Sequence, residues 1–145
     1  IDIWIRFLVY IADSKEDARY GTASYTATAA RDAYLSIFGR NTPESAEIAE
    51  RMERIEPGIV DEIKKIHDNF DHYQQELADA PHAKLVSQRL IDFLMMTGKS
   101  EDICEGIERI GNLGVRTVSV TLFGINDEKG MMREIGNQIM THFRN

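Results

Sequence analysis

Nine residues near the start of the chain constrain its fold more than any others. Ile3 to Ile11 reads IWIRFLVYI, rich in β-branched and aromatic side chains and apolar on both alternating faces except at Arg6. A strand solvated on one face alternates apolar with polar; one covered on both faces does not, and that pattern belongs to parallel sheets flanked by helices. The expectation is therefore a central parallel strand. It leads at once into Ser14, an N-cap followed three residues later by Asp17, and a helix whose Ala18, Thr22, Tyr25, Ala29, Ala33 and Ile37 recur at helical spacing as far as Phe38 and a Gly39 stop.

A second helix starts at Thr42-Pro43, a capping residue followed by proline at the first helical position, and ends near Pro57-Gly58. Ile59, Ile63, Ile66, Phe70, Tyr73 and Leu77 then form an apolar stripe that predicts one amphipathic helix from Ile59 to Leu77, closed by Ala78 to Pro81. Ala83 to Ile91 predicts a shorter helix, and Phe93 to Thr97 an extended stretch. Ser100 is expected to cap a helix carrying Ile103, Ile107 and Ile110, which Asn112-Leu113-Gly114 terminates with glycine in the left-handed position. Thr117 to Leu122 reads TVSVTL, a strand with Val118, Val120 and Leu122 on one face and Thr117, Ser119 and Thr121 on the other. After the turn at Phe123-Gly124-Ile125, Asn126 or Asp127 should cap a last helix that buries Met132, Ile135, Ile139 and Phe143.

Strands separated by long helical stretches pair in parallel, which excludes a hairpin between Ile3–Ile11 and Thr117–Leu122. Two or three such strands do not cover both of their own faces, so the expected class is α/β, the C-terminal portion of a (β/α)8 TIM barrel with a helical insertion, forming a single domain over residues 1–145. An opening Ile1-Asp2-Ile3-Trp4 that enters the strand without a lead-in fits a missing N-terminal barrel portion. The 43% apolar content suffices for a core, and the net charge of −7 without a basic patch argues against nucleic acid as a partner. The apolar runs Phe7–Ala12 and Phe93–Met96 are far below the length a membrane helix requires. A single Cys104 forms no internal disulfide and is consistent with a cytoplasmic protein.

Three stretches stand out together: Arg6 to Ala18, RFLVYIADSKEDA; Leu90 to Asp102, LIDFLMMTGKSED; and Leu113 to Val120, LGVRTVSV. They resemble, in turn, the late barrel strand with its acidic capped helix, the apolar run reaching Thr-Gly before another capped helix, and the Leu-Gly-Val lead into the final strand of the luciferase-like family of flavin- and coenzyme F420-dependent oxidoreductases. The resemblance spans nearly the whole chain, while Arg40 to Pro81 departs from it where members carry their own insertions. It implies a barrel with FMN or coenzyme F420 at its C-terminal mouth, reductase or monooxygenase activity in the manner of methylenetetrahydromethanopterin reductase or bacterial luciferase, a small-molecule substrate and a homo-oligomer. A non-catalytic helical α/β interaction or dimerisation module, and an unrelated barrel enzyme such as an aldolase or hydrolase, are the competing readings.

The residues that could carry chemistry divide by type. Arg6, a cation among apolar neighbours, needs an anion, either a structural carboxylate or a bound cofactor or substrate. Thr97-Gly98-Lys99-Ser100 precedes a helix start, where free backbone N–H groups can hold a phosphate, although the upstream glycines of a Walker loop are absent. Thr97 and Gly98, with Phe123 and Gly124 after the last strand, are the cofactor candidates. His67 and His72 lie in the densest titratable group and are candidates for the substrate mouth, the alternative being a polar helix face with His67 and Asp71 one turn apart. Their five-residue separation does not suit a metal. His82 would contact a ligand or merely sit solvated at a helix start, and Cys104 reads as a small core residue.

Overall fold

The structure, a computed structural model, describes residues 4–39, 42–75, 77, 79–122 and 128–144. Strand β1 spans Trp4–Ile11, and Ser14 caps the 24-residue helix α1, Lys15–Phe38, by accepting the Asp17 N–H at 3.0 Å. Helix α2, Pro43–Ile55, starts with the expected Thr42 cap and proline, and α3 runs Ile59–Asp68. Single 3-10 turns at His72–Gln74 and Ala83–Leu85 lead to α4, Gln88–Leu94. Strand β2, Met96–Gly98, helix α5, Ser100–Asn112, and strand β3, Thr117–Leu122, follow. Helix α6, Glu128–Glu134, continues through a π-helical turn, Ile135–Ile139, into α7, Met140–His142.

The chain divides into two compact units, residues 1–22 with 95–145, and residues 23–94. The first holds a parallel sheet of order β2-β1-β3. β3 pairs along β1 from Trp4 with Thr117 to Val9 with Leu122, as the long helical connection required. β2 meets only the last three residues of β1, Val9 to Ile11. On one face Val9 packs with Ile103 and Cys104 of α5 and with Ile135 and Ile139 of the π-helical turn, and Phe7, Ile11, Met96, Val120 and Leu122 extend that core. Cys104 is a buried free thiol, and burial, followed by Glu108 and Glu101, raises its pKa. In the last helix the buried positions are Met131, Ile135 and Ile139, whereas Met132 is 63% and Phe143 43% exposed. The expected Met132 and Phe143 face is thus corrected at both ends: the buried stripe steps by four from Met131, and the π-helical turn shifts the register beyond it.

The second unit is built on small residues. Ala23, Ser24, Thr26, Ala27 and Ala30 are buried along α1, and hydroxyls here bond back to the helix, as Thr28 does to the Ser24 carbonyl at 3.1 Å. Ile59, Ile63 and Ile66 of α3 are fully buried, but the stripe does not continue as one helix to Leu77. Asn69 donates its side-chain amide to the Lys65 carbonyl, and Asp71 accepts the Tyr73 N–H, so both compete for the backbone groups that another helical turn would use. Tyr73 is 99% exposed as a result. Glu53 links α2 to α3 by accepting the Gly58 and Val60 N–H groups, each at 2.8 Å. Glu62 links α3 to α4, accepting from the Ser87 N–H and from Arg89, both at 3.0 Å.

Candidate functional site

Parallel register puts paired residues on the same side of a sheet. The face opposite the Val9 core therefore carries Trp4 with Thr117, Arg6 with Ser119, Leu8 with Thr121 and Tyr10 with Thr97. Tyr10 is buried, and its hydroxyl donates to Asp17 at 3.4 Å. Its ring lies so close to Gly21 that a Cβ there would stand 2.3 Å from Cζ. Toward the start of the strands this face is open: Trp4 is 58% exposed, and Arg6 and Thr117 are exposed. Arg6 extends over Trp4 with its guanidinium carbon 5.7 Å from the ring centroid. Of the expected site residues, Arg6 and Thr97 share this face, but Arg6 lies toward the start of β1 and Thr97 near its end.

At the C-terminal end of β1 a cleft of about 320 Å³ opens, lined by Asp13, Asp17, Glu101 and Glu134 against Lys99. Four carboxylates facing one ammonium repel a phosphate. The start of α5 is closed to one for a second reason. Lys99 holds the N-cap position and donates its N–H to Asp102 at 2.9 Å, so the helix supplies its own anion. Gly98 permits this approach: at φ +142° it takes a conformation L side chains rarely adopt, and a Cβ there would lie 2.8 Å from the Asp102 carboxylate. Ser100 is not the cap. It is the first helical residue, buried, and donates its hydroxyl to Glu134 at 2.8 Å. The phosphate of FMN or coenzyme F420 does not fit at Thr97–Ser100. The open part of the sheet face, at Trp4, Arg6 and Thr117, lies at the amino ends of the strands. Phe123 and Gly124 lie outside the described residues.

The histidines are brought together in the second unit, although not on one helix. His67 ends α3 stacked on Tyr34, ring centroids 4.0 Å apart, and its buried Nδ1 has no hydrogen-bond partner. Because α3 stops at Asp68, His67 and Asp71 do not share a helix face, and His72 is exposed on the 3-10 turn. His82, expected to be solvated or touching a ligand, is fully buried. It stacks on Phe70 at 4.3 Å, accepts the Asp71 N–H at Nδ1 at 3.2 Å, and leaves Nε2 without a partner. Burial holds its pKa below the ordinary histidine value, with His72 adding to the shift and Asp71 and the Gln75 backbone opposing it. The one sequence signal for its burial was the alanines at positions 80 and 83, both buried beside it in the chain. No group of three or more His, Cys, Asp or Glu side chains that could hold a metal exists among the described residues.

Compared with known protein families, curated proteins and solved structures, the chain finds no match. No helix among the described residues is long and apolar enough to cross a membrane.

Proposed function

We propose that this chain forms closing strands of a luciferase-like barrel, an oxidoreductase using FMN or coenzyme F420, with β1 and β3 as adjacent barrel strands and the second unit as the insertion. The observation that carries the reading is the asymmetry of the sheet. Phe7, Val9, Val120 and Leu122 pack under α5 and the π-helical turn, whereas Trp4, Arg6, Leu8, Ser119 and Thr121 lie on the opposite side. In a barrel the first set faces the outer helices and the second faces the interior, where side chains fill the lumen and meet the ligand at the carboxyl ends. There the half-buried Thr97 would border the cofactor ring and the small-molecule substrate, whereas its neighbour Tyr10 is covered by α1 at Gly21. Arg6 would meet an anion from another strand. The phosphate would be held by residues other than Thr97–Ser100, with Phe123 and Gly124, outside the described residues, the candidates the resemblance implies. β2 engages only Val9 to Ile11, which leaves Trp4 to Leu8 for a further strand on that side.

The strand order favours a second reading. In a consecutive barrel β2 would lie between β1 and β3, whereas β2-β1-β3 is the order found at the switch point of open doubly wound sheets, which bind ligands beyond the strand ends. The two readings differ at the outer edge of β3, which another strand must cover in a barrel and need not cover in an open sheet.

The test uses the full-length gene product. Its fluorescence titration with FMN and with coenzyme F420 should show saturable binding of one of them, weakened at least about tenfold, or about 1.4 kcal/mol, when Ser119→Trp fills the interior face. Binding of neither cofactor would overturn the oxidoreductase reading. Rapid hydrogen exchange along the outer edge of β3 would overturn the barrel independently.

A further inference from the structure

We propose that His82 is an acid-sensitive latch: its neutral, buried imidazole holds the segment between α3 and the Ala83–Leu85 turn closed, and protonation releases that segment. The inference does not depend on the oxidoreductase reading.

Nδ1 of His82 accepts the Asp71 N–H at 3.2 Å, so in the neutral ring the proton resides on Nε2, which is buried with no partner. A second proton must go to Nδ1, where it would face the Asp71 N–H, donor against donor. The charged imidazolium is therefore incompatible with the bond that closes the segment. The bond spans eleven residues, from just beyond α3 to the turn leading toward α4. Breaking it would free the 3-10 turn His72–Gln74, which rests on Asp71 through bonds from the Tyr73 N–H and the Gln74 side-chain amide, each at 2.8 Å.

The charges on the surrounding elements divide by sign. Asp71 attracts a proton to His82, but its carboxylate already accepts those two bonds. His72, edge-on to Phe70 at 5.2 Å, repels a second positive charge, as does Arg31 of α1, whose guanidinium carbon lies 5.3 Å from the Phe70 centroid. Lys84 stands in the turn that follows, and α3 contributes His67, Lys64, Lys65 and Asp68 at its end. Phe70 offers His82 a ring face, which by itself favours a cation, but Arg31 is stationed over the same ring. The Gln75 backbone also favours the charged ring, but full burial, with Nε2 lacking a hydrogen-bond partner, outweighs it and makes opening the lower-energy way to take up a proton.

Amide hydrogen exchange followed by NMR, corrected for the intrinsic pH dependence, tests the latch. Between about pH 7.5 and about pH 5, on either side of the ordinary histidine range, Asp71 in the wild-type protein should lose at least about tenfold in protection. His82→Asn retains an acceptor near the Nδ1 position but does not titrate, and should change by less than about twofold. His72→Gln should behave as wild type. Constant protection in the wild type, or an equal loss in His82→Asn, would overturn the proposal. If His82→Asn does not fold, the Cε1–H titrations of the wild type decide: His82 must titrate below exposed His72, and titration at or above it refutes the latch.

Discussion

Gly21 shows how much one missing side chain can decide. An alanine in the middle of a helix ordinarily stabilises by about 1 kcal/mol relative to glycine. Here its Cβ would stand 2.3 Å from the ring of Tyr10, which is only 2% exposed. Overpacking of this kind costs about 1–3 kcal/mol, so Gly21→Ala should lower the urea midpoint despite the gain in helix propensity. Adding Tyr10→Leu should recover part of the loss, and a stabilised Gly21→Ala would show that the ring moves freely. A similar contrast separates Ser100 from Asp102. Each should cost about 1 kcal/mol when replaced by alanine, Ser100 by losing Glu134 and Asp102 by losing the Lys99 N–H. Glu134→Ala should therefore couple to Ser100→Ala in a double-mutant cycle and not to Asp102→Ala; the reverse pattern would mean that Ser100 acts as the cap. Sequence alone favoured Ser100, because capping preference is strong and a lysine at N-cap is unusual. What decided the position was a long-range partner, 34 residues away, that the local pattern does not encode.

Elements whose signals were local were legible. β1, β3, the Ser14 and Thr42 starts and the left-handed Gly114, at φ +90°, all follow from strand pattern, caps and glycine. The end of α3 was not legible, because the apolar stripe retains helical spacing through Tyr73 although Asn69 and Asp71 have already turned the backbone. The consequence can be measured. Ile63→Ala, at a fully buried position, should cost about 3 kcal/mol, whereas Tyr73→Ala should stay within about 0.5 kcal/mol. Comparable losses at both would place Tyr73 against a surface in solution. At the α3–α4 junction burial works to raise the pKa of Glu62, but the bonds from Ser87 and Arg89 and the Arg89 charge outweigh it and hold the value below that of an ordinary glutamate. A carboxylate with a folded pKa below its unfolded one stabilises above the unfolded pKa of 4.5 and loses that contribution as pH falls through the folded value. Glu62→Gln should therefore flatten the acid limb of the stability curve. An unchanged slope below about pH 4.5 would remove the carboxylate from that role.

Across the whole molecule, the β1–β3 ladder joins Trp4 to Thr117, so most of the chain must be spooled out before the sheet can close. Residues 23–94 form a compact unit of their own within that interval. Closing a loop of this length as a flexible chain is entropically slow, and contacts so distant in sequence lower folding rates. A unit that forms first from near-neighbour helices replaces much of that slack with a folded body. The sheet should then be the late event of folding, with the helical unit the place where it begins. Refolding watched by pulse-labelled hydrogen exchange should protect Ile63 and Ile66 before Phe7 and Val120.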